Sequence, residues 1–341
     1  MCGLMHNGLL WLKNFGGELI AKGFERSQAG PCVFRRKHLE NVVVINVVYV
    51  DDLLVLRETK QDEHQALEDL RSSFPIKNLG EISYYLGCHI TRDRKARTVT
   101  FDQQRYAQTV TERFEIRKTS VILFLRGKRH FRRQTDRKAT LRSQRCMTSL
   151  GDNPGPEHWK AVMKAVRYLK RTASLGVTYG GATEDMKLSA WVDADHASFP
   201  DTRRSVSGGA VMLGGGATSW FLRAQRGTAT ATSESEYVAL TEIVNELRFI
   251  RQVKAFMEPP TDYNIRVHED NEGAIKMAEN RFSSRRRRHI DVKHHMVRDA
   301  VDGGIVCVEY AKSREQHAAI LTMAVDAKSF EKHARFLLNV R

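Results

Sequence analysis

The sequence predicts a mixed α/β (α+β) protein in which a first segment of strands and helices precedes a sheet covered by helices. The chain has 341 residues, which is enough for two domains with hydrophobic cores of their own. From residue 186 onward the predicted order is three strands, a helix, a strand, two helices, a strand and a helix. An antiparallel meander followed by βα crossovers predicts one mixed five-stranded sheet with flanking helices.

In the first segment, β-branched and leucine-rich runs predict the strands. Residues 41–50 and 53–56 predict a hairpin with Asp51 and Asp52 between its strands. Residues 59–74 then show the apolar spacing of an amphipathic helix. A second hairpin is expected over residues 84–92 and 97–101.

In the second half, the same periodicities predict a longer series of elements. Helices are expected where apolar residues recur every three or four positions, and strands where β-branched runs are bounded by glycine or polar residues. The predicted helices are 158–172, 233–256, 272–278 and 289–302, and the predicted strands are 176–179, 188–192, 205–213, 217–221, 265–268 and 305–310.

The charge of the chain favours a polyanionic partner. The formal net charge is +15 and the pI is near 9.7, so nucleic acid is the first candidate, and a merely basic surface is the alternative. Five scattered cysteines without a Cys-x-x-Cys pair predict free thiols, neither a disulfide framework nor a zinc site. No apolar run reaches membrane-spanning length and no secretion signal is evident, so we expect an intracellular, non-membrane protein.

Residues 118–153 differ from the rest of the chain. Between residues 126 and 145 the sequence holds nine basic residues and a single acid, Asp136. Like charges at this density oppose compaction, which predicts a poorly packed basic linker. Whether it clamps nucleic acid or is only a solvated loop is left open by the sequence.

Three acids in the second half, Asp193, Glu236 and Asp270, are the strongest candidates for a functional site. Asp193 and Asp270 lie at the ends of strands expected to be neighbours, and Glu236 lies one turn into the long helix. Carboxylates brought together repel each other unless a cation bridges them, and hard oxygen ligands select Mg²⁺ or Mn²⁺. Each acid taken alone is more often a surface charge, so the prediction depends on their joint placement.

With these residues in place, the chain resembles the C-terminal part of a copia-type LTR retrotransposon polyprotein, namely the end of the reverse transcriptase followed by RNase H. The resemblance covers nearly the whole chain outside the basic middle. It is carried by Tyr49-Val50-Asp51-Asp52, Arg167-Tyr168-Leu169-Lys170, Asp193-Ala194-Asp195, Ser219-Trp220, Glu236-Tyr237, Asp270-Asn271 and His289-Ile290-Asp291, in the family's order.

The resemblance implies four segments. These are a truncated reverse transcriptase palm and thumb (1–117), the basic linker (118–153), a connecting helix and strand (154–185) and an RNase H-like domain (186–330). It implies that Asp193, Glu236 and Asp270 hold Mg²⁺ or Mn²⁺ for hydrolysis of RNA in RNA–DNA hybrids, with other polyprotein subunits as further partners, in a cytoplasmic particle or the nucleus.

For the first segment, the resemblance implies that Asp51 and Asp52 face the polymerase metals. Read without the resemblance, the pair is an exposed turn. The sequence holds no counterpart of the first palm aspartate, so polymerase activity is not expected.

Basic and aromatic residues around the acids are candidate nucleic-acid contacts. They are Arg204, Trp220, Arg223, Arg287 and Arg288. Phosphate contacts of this kind are independent of sequence and sensitive to salt. For Trp220, packing in the core is an equally good interpretation.

One departure from the family bears directly on activity. Ala319 stands where the family has a fourth catalytic aspartate, within the stretch 316–323. Its loss should lower the rate by orders of magnitude. Three interpretations therefore remain open: a weakened RNase H, a non-catalytic nucleic-acid-binding remnant, and a decayed reading frame.

Overall fold

The structure, a computed structural model, describes residues 7–38, 41–50, 52–57, 59–113, 156–181, 186–199, 202–258, 264–279 and 291–340. The basic linker, Asp51, Arg287 and Arg288 lie outside these residues. The chain divides into two compact units, one of residues 1–81 with 248–261 and one of residues 82–247 with 262–341. Among the helices described, none combines the length and apolar character that crossing a bilayer requires.

Within residues 1–81, the first unit forms an antiparallel sheet of four strands in the order β1-β2-β3-β4, and two helices are described. The predicted hairpin is present as β3 and β4, with Tyr49 opposite Asp52. Helix α2 begins with a capping box, in which the side chains of Thr59 and Asp62 each accept from the other residue's backbone N–H. The elements are α1 (Asn7–Ala21), β1 (Glu25–Arg26), β2 (Val33–His38), β3 (Asn41–Tyr49), β4 (Asp52–Arg57) and α2 (Lys60–Arg71).

An asparagine is buried in the core of this unit. Asn46 lies in the centre of β3 at 0% exposure, on the same strand face as the buried Val44 and Val48. Neither its amide nitrogen nor its carbonyl oxygen has a hydrogen-bond partner. A buried polar group left unsatisfied costs about 1–3 kcal/mol, so we expect this side chain to destabilise the sheet it belongs to.

Replacing Asn46 by valine is therefore expected to raise the free energy of unfolding by about 1–3 kcal/mol, because the unsatisfied amide is removed and a β-branched side chain suits a strand. Urea denaturation followed by circular dichroism measures the change. Asn41→Val, at the exposed start of the same strand, is the matched control and should shift the midpoint little. A decrease in stability for Asn46→Val would show that the amide is satisfied in solution.

In the second unit, a small antiparallel sheet has the order β5-β6-β7-β8. Strand β7 pairs with β8 from Thr98 opposite Gly180 to Asp102 opposite Gly176. This pairing groups the second predicted hairpin with the connecting strand, so packing divides the chain near residue 81. The predicted division at residue 117 follows the family's segments and stays a prediction. The elements are β5 (Tyr84–Tyr85), β6 (Cys88–Asp93), β7 (Thr98–Asp102), α3 (Gln104–Arg113), α4 (Pro156–Arg171) and β8 (Gly176–Gly180).

The larger sheet of this unit has five strands in the order β11-β10-β9-β12-β13. The first three form an antiparallel meander, and β12 runs parallel to both β9 and β13. The predicted fold class is thereby confirmed. The elements are β9 (Ser189–Asp195), β10 (Val206–Leu213), β11 (Gly216–Ala224), α5 (Thr232–Met257), β12 (Ile265–Glu269), α6 (Glu272–Glu279), α7 (Asp291–Asp302), β13 (Val306–Tyr310), α8 (Ala319–Thr322) and α9 (Ala327–Leu338).

Two glycines of β10 show how closely helices cover both faces of this sheet. A Cβ at Gly209 would lie 2.7 Å from the Phe221 ring and 2.9 Å from Cδ1 of Ile243 on α5. A Cβ at Gly208 would lie 2.8 Å from Cγ2 of Thr322 on α8. Neighbouring strand residues point to opposite faces, so α5 packs on one face of the sheet and α8 on the other.

Two histidines near the C-terminus are buried against each other. Nδ1 of His317 and Nδ1 of His333 lie 2.9 Å apart, and the His317 ring stacks on Phe336 at a centroid distance of 3.6 Å. Burial, reinforced by the neighbouring His333, lowers the pKa of His317 to about 3. Burial also lowers the pKa of His333. Both rings are therefore neutral in the folded protein at neutral pH.

Acid is expected to destabilise the protein through this pair. Unfolded histidine titrates near pH 6.5, so below that pH the unfolded chain binds protons that the folded chain excludes. The free energy of unfolding should fall as the pH drops from about 6.5 towards 3, and His317→Gln should flatten that dependence. Urea denaturation across this pH range measures it, with His64→Gln on the exposed face of α2 as control. An unchanged slope in His317→Gln would contradict the prediction.

Candidate metal centre

Asp193 is held inside the central strand of the five-stranded sheet. It lies in β9 opposite Gly208 of β10 and is only 2% exposed. The Thr322 hydroxyl of α8 donates a hydrogen bond to its Oδ2. The glycine opposite leaves room for this contact, because any Cβ at position 208 would collide with Thr322.

Glu236 enters the site from the N-terminal part of α5. Its side chain is 7% exposed, and the backbone N–H of Ala194 donates to it. Its second carboxyl oxygen, Oε2, is buried and has no hydrogen-bond partner. An unpartnered oxygen on a buried carboxylate indicates that a proton or a cation belongs beside it.

Asp270 follows β12 directly, at the edge where parallel strands place functional side chains. Strand β12 lies next to β9, with His268 opposite Trp191. The next residue, Asn271, accepts from the backbone N–H of Ala274 and so caps the first turn of α6. This short turn fixes the position of Asp270, which stays partly exposed.

The structure brings the three predicted acids together. One carboxylate oxygen from each of Asp193, Glu236 and Asp270 can be chosen so that all three lie within 4.8 Å of one another. Separations of this size fit a shared cation, because Mg²⁺ and Ca²⁺ bind oxygen ligands at about 2.0–2.6 Å. Their role as metal ligands stays a prediction.

The electrostatics of the site oppose negative charge in the absence of a cation. Burial raises the pKa of Glu236 to about 11, and the neighbouring carboxylates of Glu269, Asp193 and Asp270 add to the rise. The group therefore carries a proton at neutral pH in the metal-free protein. Two of the three acids, Asp193 and Glu236, are buried, which distinguishes the cluster from a surface acidic patch.

Glu269 was not predicted as a site residue, yet it is the most buried acid of the group at 0% exposure. Burial raises its pKa well above the ordinary value, and Asp270 and Asp193 contribute. The signal was present in the alternation of β12, where Ile265, Val267 and Glu269 occupy the buried positions. An acid in an inward-facing strand position points to a buried carboxyl.

Helix α8 reaches the site without supplying an acid. Ala319 is its first residue and is buried, and three residues later Thr322 contacts Asp193. The segment that the resemblance aligns with a fourth aspartate is therefore packed beside the acids, but offers a hydroxyl at Thr322 and a methyl group at Ala319.

The predicted nucleic-acid contacts are in different environments. Arg204 is exposed, whereas Trp220 packs against the core cluster of β10, α8 and α9. The guanidinium of Arg223 lies 4.9 Å from the centre of the Phe221 ring and 3.8 Å from a carboxylate oxygen of Glu242. Arg287 and Arg288 lie outside the described residues. The role of all five in binding stays a prediction.

The Asp-Asp pair belongs to the first unit. Asp52 is exposed at the start of β4, two residues after Val50, which has a φ of 53°. The Trp11 indole N–H donates to the carbonyl of Val50 at 2.7 Å and holds the turn. Asp51 is outside the described residues, so the pair stays a predicted polymerase loop.

Comparison with known sequences shows which proteins this chain is similar to. Residues 1–123 match the family described as Reverse transcriptase (RNA-dependent DNA polymerase). The Retrovirus-related Pol polyprotein from transposon TNT 1-94 of Nicotiana tabacum is 28% identical, across 94% of this chain and 26% of that protein. The corresponding polyprotein from transposon RE2 of Arabidopsis thaliana is 24% identical, across 98% of this chain and 24% of that protein.

The chain therefore spans about a quarter of the length of these relatives. Among solved structures, RNase H1 from the archaeon Halobacterium salinarum NRC-1 aligns with 43% of this chain and 98% of its own, at 14% identity and a TM-score of 0.31. The sequence matches run through both compact units. They show that this chain is similar to the Pol polyproteins of copia-like retrotransposons.

Proposed function

We propose that the second unit is a metal-dependent nuclease of the RNase H type that hydrolyses the RNA strand of RNA–DNA hybrids, at a reduced rate. The observation that carries this proposal is the convergence of Asp193, Glu236 and Asp270 within 4.8 Å. The first 117 residues are the accompanying reverse transcriptase segment, and residues 186–330 are the nuclease domain.

The residues at the site fit Mg²⁺ or Mn²⁺. All three donors are carboxylate oxygens, which these hard cations prefer over sulfur or nitrogen. Oε2 of Glu236 is buried without a partner, so it is available to a cation. When bound, the metal supplies Lewis-acid activation of the phosphodiester and of the attacking water.

The chain's own residues position the reaction. Thr322 orients Asp193, the Ala194 amide orients Glu236, and the α6 cap holds Asp270 at the open edge of the sheet. Asp270 is the most exposed of the three acids, so the phosphodiester approaches from its side. Exposed basic residues such as Arg204 contribute salt-sensitive attraction to the phosphates.

The reduction in rate is attributed to position 319. A fourth carboxylate would add charge for metal binding, and alanine supplies none. The hydroxyl of Thr322 occupies one oxygen of Asp193, which competes with a metal for that oxygen. These two features also favour a second candidate, a nucleic-acid-binding remnant without turnover. A third candidate, a decayed product, would lack a cooperative fold.

A cleavage assay separates the three candidates. The purified chain is incubated with end-labelled RNA–DNA hybrid and Mn²⁺, beside Asp193→Asn. Cleavage that the variant lacks supports the nuclease, whereas salt-sensitive binding without cleavage in either protein supports the remnant. A chain that shows no cooperative unfolding transition supports decay. Cleavage that persists in Asp193→Asn would show that another site or a contaminant is responsible.

A further inference from the structure

Glu269 directly precedes Asp270 and lies on the side of the sheet that α5 covers. On β12 it shares a strand face with Val267, which is opposite Ala190 of β9. Ala190 and Val192 share one face of β9, and Val192 is opposite Gly209, the glycine that abuts Ile243 of α5. Glu269 therefore faces the helix that carries Glu236.

The hydrogen bonds of Glu269 are incomplete. Oε1 accepts from the backbone N–H of Asn271 at 3.0 Å. Oε2 is buried and has no partner, although the side chain is 0% exposed. A carboxyl buried in this way loses its hydration, so the second oxygen requires a compensating partner.

Glu236 has the same deficiency, since its own Oε2 is buried without a partner. Glu269 directly precedes Asp270 in the chain, and its strand face is the one that α5, the helix of Glu236, covers. One species that satisfies both oxygens is a hydrated cation held between the Asp193, Glu236 and Asp270 group and Glu269.

We propose that Glu269 is a fourth acid of the metal site, which holds a water molecule of the bound cation from the α5 side. The inference rests on the proposed function, since it concerns the same metal. Glu269 is not among the three acids that meet within 4.8 Å, so it acts through water and is a positioning residue. Its negative charge and its length both matter in this role.

The test measures Mn²⁺ binding to the full chain by isothermal titration calorimetry, with no activity assay. Removing an outer-shell partner of a metal ligand typically costs 10–100-fold in affinity, so we expect Glu269→Gln to weaken Mn²⁺ binding by about that factor. Glu272→Gln, an exposed glutamate on α6, makes the same change of charge and should leave the affinity unchanged.

A second variant separates charge from shape. Glu269→Asp keeps the charge but is shorter, so it should bind Mn²⁺ more tightly than Glu269→Gln, which keeps the shape. If Gln binds as well as the wild type, or better than Asp, Glu269 has only a packing role and the inference is overturned. A loss of Mn²⁺ affinity equal to that of Glu272→Gln would also overturn the inference, because the loss would then reflect the change in net charge and not the position of Glu269.

Asp193→Asn, titrated in parallel, separates this inference from the proposed function. Wild-type binding that is lost in Asp193→Asn but kept in Glu269→Gln refutes only the role of Glu269. If the wild type binds no Mn²⁺ at all, the proposed function fails and the inference fails with it.

Discussion

Glutamine at position 236 is expected to abolish metal binding while leaving the metal-free protein at least as stable as the wild type. The reason is that the Glu236 carboxyl, with its pKa raised to about 11, is already neutral in the metal-free protein near pH 7. Glutamine reproduces that neutral shape but offers a much weaker ligand. Cleavage of an RNA–DNA hybrid should fall by about 10³-fold or more, which corresponds to the several kcal/mol that a catalytic metal contributes.

Because the Glu236 carboxyl is neutral in the folded metal-free protein, the stability of that protein should depend on pH. Unfolded glutamate titrates near 4.5 and folded Glu236 near 11, so between these values unfolding releases a proton. The free energy of unfolding of the wild type should therefore decrease as the pH rises from 6 to 8, and Glu236→Gln should remove that part of the slope. Urea denaturation in the presence of a chelator at both pH values measures the difference.

Glu246→Gln makes the same substitution further along α5, where the carboxylate accepts from the Ser219 hydroxyl at 2.6 Å. This control should bind Mn²⁺ like the wild type. A Glu236→Gln protein that unfolds in the absence of metal would show that Glu236 is a structural residue, and one that keeps full Mn²⁺ affinity would remove it from the site.

Aspartate at position 319 is expected to raise the rate of cleavage by about 10- to 1,000-fold, since each factor of ten corresponds to about 1.4 kcal/mol of transition-state stabilisation. Ala319 begins α8, the helix whose Thr322 contacts Asp193, so a carboxylate there adds charge beside the acids. The initial rate on a labelled hybrid at fixed Mn²⁺ measures the gain.

Ala319→Asn is the matched control because it adds the same volume without the charge. A gain confined to aspartate would support the assignment of position 319 to the metal site. Equal gains from both residues would indicate a packing effect, and no gain from aspartate would count against the alignment of this segment with the family.

The sequence was informative about the acids because their positions depend on topology alone. A meander followed by a crossover places β12 beside β9, so Asp270, directly after β12, lies beside the C-terminal half of β9 that holds Asp193. The predicted strand ended at residue 192, whereas β9 continues to Asp195 because it pairs with β10 over its whole length. Helix α5 could be predicted because Leu240, Val244 and Leu247, all 0% exposed, recur at helical spacing. For these elements, the apolar spacing within each segment and the topology of the sheet predict the same structure.

Other elements escaped prediction because packing, rather than propensity, decides them. Helix α1 contains Gly16, and glycine disfavours a helix. A Cβ at this position would come within 3.0 Å of the Phe34 ring, so the close packing of the helix favours glycine here. Strand β2 carries Arg35 and Arg36, whose charges are paired with Glu25 and Asp69. Because each of these ion pairs joins residues that are distant in the sequence, no pattern within a short segment predicts it.

The pairing of β7 with β8 has a consequence for how this chain tolerates change. The two strands are adjacent in the sheet, although the whole basic segment separates them in sequence. Closing a loop costs only about 0.6 kcal/mol more for each doubling of its length, so insertions or rewritten sequence between the strands carry little penalty. A frameshift or a protease cut confined to that stretch would leave β7 paired with β8. The stretch can therefore diverge in sequence without displacing the acids of the five-stranded sheet.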